Sequence, residues 1–389
     1  MKDTHVIVAG AGIGGLAAAL GLARAGQRVT VLEQVAELGE VGAGLSITPN
    51  AGKALIALGL GDELDRIGSR PTAGAMRHYA TGEILVRLPQ DRTAETYGVP
   101  LYHMHRADLH AALLAALLRL QPAAVHVGTA VAAVEQGGNV VTALLGNGER
   151  ISADWLVGAD GIHSAVRTAL FGHDAPLFTG FVAFRGLVPA AGAPAALLDP
   201  PLCMTMGPRR LLMRYPLRNR TVINFVALAH RSAWMEEGWS VRAELAELQA
   251  EFHDFEPVSQ QLLALTPRDR LFKWGLFDRD PLPTWTRGRA TLLGDAAHAM
   301  PPFTGQGAVM ALEDAAVLGR CAAAAGDPEE AMQRYEKARH ARVVAALAMS
   351  RARADVYFAP DPADQIKALA VGMAEVRTLY AYDAGSTPV

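Results

Sequence analysis

The apolar run Val6-Ile7-Val8-Ala9 stops at Gly10-Ala11-Gly12-Ile13-Gly14-Gly15, and this junction limits the possible fold more than any other stretch of the chain. A short β-branched run of this kind reads as a strand of a parallel sheet, buried on both faces. The glycines that follow have the spacing G-x-G-x-x-G. Gly10 permits a tight turn, Gly12 lets a phosphate approach the backbone with no Cβ in the way, and Gly15 lets the next helix, predicted over 14–25, pack close to the strand. Ile13 and Gly14 open that helix, whose unpaired N–H groups and positive dipole end suit a pyrophosphate. Gly26 predicts the helix stop, 28–32 reads as a second strand, and Glu33 follows where a carboxylate accepts from a ribose hydroxyl. Strand, glycines, helix, strand and acid occur in order, which predicts a nucleotide site but leaves NAD and FAD both open.

A second acidic signature, Gly294-Asp295-Ala296-Ala297-His298 with Pro302 beyond it, lies far downstream. Two such distant segments gripping one long cofactor imply FAD. With 389 residues, 51% of them hydrophobic, the chain has material for two domains sharing an extended core. The net charge of -3 comes from acids and bases with no long block of either sign, which argues against nucleic acid or an anionic membrane as partner. Cys203 and Cys321 match no metal or disulfide spacing, so a reducing cytoplasm is the expected compartment. The Ala/Leu run 111–118 is too short to span a bilayer and the N-terminal apolar segment is broken by glycines, so neither a signal peptide nor a transmembrane helix is expected.

Between the two signatures the pattern alternates. The glycine-spaced loop 41–50, containing Gly44, leads into a helix expected to about Leu58 and skirts the nucleotide. Short strands are expected over 71–104, around a Thr81-Gly82 turn, then a helix over 107–120 opened by Arg106, whose guanidinium can reach phosphate or flavin. Strands are expected at 125–127, 130–135 (which holds Val131), 140–145, 150–152 and 155–157, the last delivering Asp160-Gly161 to a strand's carboxyl end, where open α/β sheets collect ligands. From 178 to 283 the composition turns to short strands at 181–185, 203–206, 211–215 and 221–227, with a helix over 241–252. A last strand, 289–293, returns to the first sheet, and the loop 301–307 feeds a helix from Ala308 to about Ala322. The helical, Ala-rich remainder reads as packing or oligomer surface. The expected fold is α/β. A Rossmann-like nucleotide domain is assembled from 1–70, 105–175 and 284–325. An interleaved, largely antiparallel β-sheet substrate domain comes from 71–104 and 176–283, and 326–389 form C-terminal helices.

Three stations, Gly10-x-Gly12-x-x-Gly15, Asp160-Gly161-x-x-Ser164-x-x-Arg167 and Gly294-Asp295-Ala296-Ala297-His298-x-x-x-Pro302, in this order over nearly the whole chain, closely resemble the single-component FAD-dependent aromatic hydroxylases of the salicylate and para-hydroxybenzoate hydroxylase type. The resemblance implies resident FAD and a visiting NADH or NADPH. It places Glu33 at the adenosine ribose, Arg106 at the FAD, Asp160 in a motif serving both nucleotides and Asp295 at the ribityl chain. Gly44 and Val131 join the cofactor side, as do Pro302, Gly305, Gln306, Gly307 and Ala308. The implied reaction is hydroxylation of a small aromatic or heteroaromatic ring, hydroxybenzoate-, salicylate- or hydroxynicotinate-like, by molecular oxygen through a flavin C4a-hydroperoxide. The loop 42–50 looks most like the branch handling those substrates, some members of which carry histidine at the place of Ser46. The chain lacks the extra C-terminal domain of larger phenol hydroxylases, which favours a small substrate; a monomer or homodimer is expected. A flavin oxidase or reductase without oxygen insertion, or a non-catalytic redox sensor, are the alternatives.

The Gly305-Gln306-Gly307 segment at a helix start can set N–H groups and the positive dipole end against the flavin, worth up to about 2 kcal/mol for a partly buried anion. Pro302 and Gly305 are therefore counted with the catalytic residues. On the substrate side, candidates to activate a phenol are Tyr215, His103, His105 and His230, with Arg185, Arg210 or Arg214 for a carboxylate. Strand alternation puts Leu211, Met213 and Tyr215 on one face and Leu212 and Arg214 on the other, which favours Tyr215. His298 is expected to shape the loop rather than move protons, and no spacing suggests a metal.

Overall fold

The structure is a computed structural model, described for residues 4–39, 43–234, 241–371 and 374–389. Val41 and Gly42 of the expected loop 41–50 lie outside the described residues. Six helices matter for the site: α1 (Ile13–Arg24), α2 (Pro49–Ala57), α3 (Arg106–Leu120), α4 (Ala165–Phe171), α5 (Gly307–Ala324) and α6 (Pro328–Tyr357). The first sheet runs in the order 286–287, 290–292, 155–158, 5–9, 28–32, 125–126. Its central strands are parallel: Val6 to Ala9 pair with Trp155 to Gly158 on one side and with Val29 to Leu32 on the other. Both faces are covered, so Val6, Ile7 and Val8 are fully buried, as their unbroken apolar run requires.

The second large sheet has the order 241–242, 271–278, 177–189, 222–230, 210–217, 202–207, 73–78, 84–89, with one parallel pair, 202–206 against 74–78. Its two faces bury different things. One packs Phe184, Leu212 and Phe225 with Leu248 and Leu262 from helices outside the molecule's centre. The other turns Met206, Leu211 and Leu228 toward Phe303 of the 301–307 loop and toward Tyr357 and Phe358 at the end of α6. A pair of short strands, Gly44–Ile47 and Tyr102–His105, joins the two sheets, with Ser46 directly opposite His103.

Several sequence expectations need correction. The helix expected over 241–252 starts only at Leu245, because Val241 and Arg242 pair with Lys273 and Phe272 as a strand. The strand Leu271–Asp278 was not anticipated although it pairs along much of Leu177–Pro189; Lys273 and Gly275 interrupt its apolar pattern. The helix Pro257–Ala264 was also missed, though Glu256 caps it by accepting from the N–H groups of Val258 and Ser259. Within 71–104, Thr93–Tyr97 is a helix rather than a strand. Among the described residues no helix is long and apolar enough to cross a membrane.

Candidate functional site

The three sequence stations meet. A Cβ on Gly14 would sit 3.1 Å from Ala311 of α5 and 3.2 Å from Leu293, one residue before the Gly294-Asp295 turn. Gly21 of α1 and Gly319 of α5 touch backbone to backbone, so two glycines let the first and last nucleotide-domain helices close to contact. Arg167, buried, donates from Nη1 to the carbonyls of Ala296 and Ala297 (3.2 and 3.1 Å), tying the second station to the third.

Each glycine of the first station does a different job. Gly10 has φ +97°, and a Cβ there would strike the Ala159 carbonyl; one on Gly15 would strike the Gly10 carbonyl. Gly12, by contrast, has nothing within 4 Å of where its Cβ would be. It lines open space at the N-terminus of α1. Gly161 and Gly305, with φ +79° and +67°, are open in the same way. Ile13 is the first residue of α1 and is buried under it.

The acids divide by duty. Glu33 accepts from the N–H of Ala11 (2.7 Å) and of Val35 (3.0 Å), so the carboxylate braces the glycine turn and keeps lone pairs to spare. Asp160 is turned inward: Ser164 Oγ donates to it at 2.5 Å and the Val166 N–H at 3.1 Å, while Ser164 itself caps α4. Burial holds the Asp160 carboxyl above the ordinary carboxylate range. Asp295 is half-buried and, among the described residues, makes no hydrogen bond or ion pair through its carboxylate. An acid with unused acceptors beside an open, glycine-lined groove fits a polyhydroxyl chain, and the whole cradle fits FAD. Arg106 follows Tyr102–His105 directly, and its N–H donates to the Ala43 carbonyl (2.9 Å). Val131 begins a strand two residues after Thr129, whose N–H donates to the Glu33 carbonyl (2.7 Å). At the loop's end Pro302 starts a short 3-10 turn, and Gln306, fully buried, precedes Gly307 and Ala308 at the start of α5.

Sequence reasoning missed His110, whose Nε2–H donates to the Ala11 carbonyl (2.7 Å) and fixes the glycine turn from α3. It also missed Arg279, which donates to the Ile162 carbonyl behind the second station (2.9 Å from Nε) and to that of Asp174 (2.7 Å). Neither pairing has a local signal: their partners lie 99, 117 and 105 residues away.

In the second sheet Tyr215 and Arg214 lie on opposite faces: Tyr215 is on the face turned toward the 301–307 loop, whereas Arg214 is buried behind it, donating to the carbonyls of Leu197 (2.6 Å) and Ala196 (2.7 Å). Arg210 pairs with Asp254 on that same far face (2.7 Å). Of the three arginines only Arg185 shares Tyr215's face, with its guanidinium carbon 4.9 Å from the Trp274 ring centre. Tyr215 packs so close to Gly44 that a Cβ there would lie 2.6 Å from its ring and 2.8 Å from its hydroxyl. Asn224, paired with Tyr215 across the strands, accepts from the Gly44 N–H (2.8 Å). His103 stacks on the Tyr215 ring at 4.2 Å and shares a hydrogen bond with Ser46 through Nδ1 (3.1 Å). Among the described residues, His103 Nε2 and Asn224 Nδ2 are buried with no hydrogen-bond partner, an expensive state for polar atoms. Burial depresses the His103 pKa to about 3 and raises that of Tyr215, so both stay uncharged at neutral pH. His105 is occupied capping α3, and His230 is exposed at an edge of Phe181. Among the described residues no cluster of His, Cys, Asp or Glu could hold a metal ion.

A family model described as "FAD binding domain" matches residues 3–350. Over 381 residues the chain is 37% identical to a 3-amino-4-hydroxybenzoate 2-monooxygenase of Streptomyces platensis, covering 97% of this chain and 95% of that one. It is 36% identical to 3-hydroxybenzoate 6-hydroxylase 1 of Aquipseudomonas alcaligenes, over 91% of this chain and 89% of the relative. The crystal structure of Klebsiella pneumoniae HpxO with FAD and uric acid superposes with a TM-score of 0.88 at 28% identity, covering 99% and 97% of the two chains. The chain belongs to the FAD-dependent aromatic monooxygenases.

Proposed function

We propose that the protein hydroxylates a small aromatic or heteroaromatic ring bearing a hydroxyl group, using FAD, NADH or NADPH, and molecular oxygen. The carrying observation is the strand pair Gly44–Ile47 and Tyr102–His105. On one side it carries Arg106 and the Ala43 carbonyl at the nucleotide cradle, on the other it presses Gly44 and His103 against Tyr215. One element thus borders both the proposed cofactor cradle and a second, uncharged polar cluster. The relatives support the ring class: two act, by name, on hydroxybenzoates, and the HpxO structure holds uric acid.

Bound FAD would supply the redox chemistry, hydride acceptance from the nicotinamide donor and activation of oxygen. The chain supplies placement. Glu33 takes the adenosine ribose, Gly12 and the N-terminus of α1 the pyrophosphate, Asp295 the ribityl hydroxyls, and the α5 start at Gly305–Ala308 the ring system, with Pro302 closing the loop. Residues 71–104 and 176–283 form the substrate side. Tyr215, protonated, donates to or accepts from the ring hydroxyl, and the neutral His103 and Asn224 offer further hydrogen bonds without burying a charge. Arg185, two strands and one same-face step from Tyr215, stands roughly 12 Å away by strand spacing, where a substrate carboxylate would point. Met213 and Val226 floor the space between and keep it dry.

An oxygen-electrode screen of NADH and NADPH oxidation against hydroxybenzoates, hydroxynicotinates and purine-type heterocycles, with products weighed by mass spectrometry, tests this. Substrate-stimulated oxygen consumption with a product one oxygen heavier is expected. A yellow, FAD-loaded protein that oxidises substrates without inserting oxygen would move the reading to an oxidase or reductase.

A further inference from the structure

Behind the flavin loop lies a buried ionic cluster that the proposed chemistry does not use. Glu313 and Asp314, adjacent on α5, are fully buried, as is Arg339 of α6. Arg339 Nε donates to Asp314 (2.8 Å), its Nη1 lies 2.6 Å from Glu313, and Arg342 adds a two-pronged contact to Glu313 at 2.8 Å. Two carboxylates and two guanidiniums balance, and both guanidiniums lie against the Tyr382 ring. Burial alone would raise the Asp314 pKa, but His298 and Arg339 together hold it below the ordinary value, so the carboxylate stays charged.

Each acid reaches one half of the flavin loop. Asp314 accepts from His298 Nε2 (2.6 Å) and from the Gly294 N–H (3.4 Å), the two ends of the turn that carries Asp295. Glu313 accepts from Asn50 Nδ2 (2.7 Å), and the same Asn50 group donates to Gln306 (3.2 Å), which stands between Gly305 and Gly307. Further along α6, Ser350 donates to the Pro301 carbonyl (2.6 Å).

We propose that Arg339 is the positioning residue of the flavin loop: one guanidinium on α6, through Asp314 and Glu313, fixes both the Gly294-Asp295 turn and the Gly305–Gly307 segment. The inference rests on the FAD reading above. It changes the meaning of the C-terminal helix, which the sequence presents as packing surface.

The test compares Arg339→Met and Arg339→Lys with Leu347→Ala, a core truncation on the same helix that leaves the ionic cluster in place. FAD dissociation constant, visible spectrum and flavin reduction potential are measured without substrate. Arg339→Met is expected to weaken FAD binding tenfold or more and to shift the potential. Arg339→Lys should recover part of both, and Leu347→Ala should lose thermal stability yet keep both within twofold. Should Arg339→Met not accumulate as folded protein, Asn50→Ala cuts the Gln306 branch, together with the acceptor of the Thr48 hydroxyl, and is read the same way. Unchanged FAD affinity and potential in the Arg339 or Asn50 variants, or an equal change in Leu347→Ala, overturns the proposal. A wild-type protein that binds no FAD overturns the functional reading instead.

Discussion

Two buried polar clusters flank the flavin loop, and they are built on opposite principles. Behind the loop, the charges of Glu313, Asp314, Arg339 and Arg342 pair to a sum of zero, although Arg339 Nη1, 2.6 Å from Glu313, makes no aligned hydrogen bond among the described residues. In front, Tyr215, His103, Asn224 and Ser46 are uncharged, and among the described residues His103 Nε2 and Asn224 Nδ2 have no hydrogen-bond partner. A set of paired charges costs much to desolvate, and it gives a fixed geometry in return. An open set of neutral donors and acceptors gives little rigidity, but it leaves hydrogen-bonding capacity for something that arrives later. In the proposed arrangement the back cluster is scaffold and the front cluster a receptor, and substitutions on the two sides should separate accordingly.

The largest effect belongs to the scaffold. Asp314→Ala leaves Arg339 without one partner and His298 Nε2 without an acceptor, and removing one member of a buried pair costs about 3–5 kcal/mol. A melting temperature within a degree of wild type would break the comparison at its back half.

Next comes Asp295, which belongs to neither cluster and meets the cofactor directly in the proposed arrangement. Asp295→Ala should weaken FAD binding roughly ten- to hundredfold, the worth of about 1.5–3 kcal/mol for a hydrogen bond to a charged acceptor. Because its carboxylate contacts nothing else described, the FAD-free protein should melt as wild type does. Calorimetry of both forms checks the two halves of that statement.

His103 gives the front cluster a signature in pH. Its folded pKa of about 3 lies below the ordinary value of 6.5, so above that value both folded and unfolded chains carry a neutral imidazole and the residue contributes nothing. As pH falls below 6.5 the unfolded chain takes up a proton that the folded one refuses, and stability drops by about 1.4 kcal/mol per pH unit for that proton. His103→Phe keeps a ring against Tyr215 and removes the proton site. Its stability should therefore fall less steeply between pH 6 and 4, by about one proton in the linkage slope. Parallel slopes in denaturant titrations would show that His103 is not held neutral.

The two clusters also mark what the sequence does and does not carry. The cradle is legible because it is a matter of backbone: Gly10, Gly12 and Gly15 announce close approach through their spacing, and the structure uses each for a distinct clearance. The face of Tyr215 is legible too, since alternation along one strand is local. What stands opposite it is not. Asn224 and Gly44 meet Tyr215 through strand pairing and a crossing between sheets, and nothing within nine residues of Tyr215 names Gly44, although Asn224 is that close. The scaffold cluster is the least legible. Arg339 sits among Glu, Lys, Arg and Ala in a helix whose sequence reads as surface, and only its tertiary neighbours on α5 show it to be fully buried. The missed strand Leu271–Asp278 has the same cause: its pattern breaks at Lys273, which pairs with Glu247 of a neighbouring helix (3.1 Å).

The smallest effect is the most discriminating. Tyr215→Phe removes one hydroxyl and leaves the ring stacked on His103 and packed on Gly44, so neither core volume nor the scaffold cluster changes. Burial keeps that hydroxyl protonated, so its loss removes a neutral hydrogen bond to substrate, worth about 0.5–1.5 kcal/mol, or roughly two- to tenfold in substrate affinity. FAD affinity should stay at the wild-type level, because no cofactor contact is assigned to Tyr215, and more of the reducing power should escape as hydrogen peroxide as the ring is held less well. Substrate titrations followed by flavin absorbance, with peroxide assayed in parallel, separate the outcomes. Wild-type affinity and coupling would make Tyr215 a wall rather than a contact, and the unpartnered atoms of His103 and Asn224 would then have to carry recognition on their own.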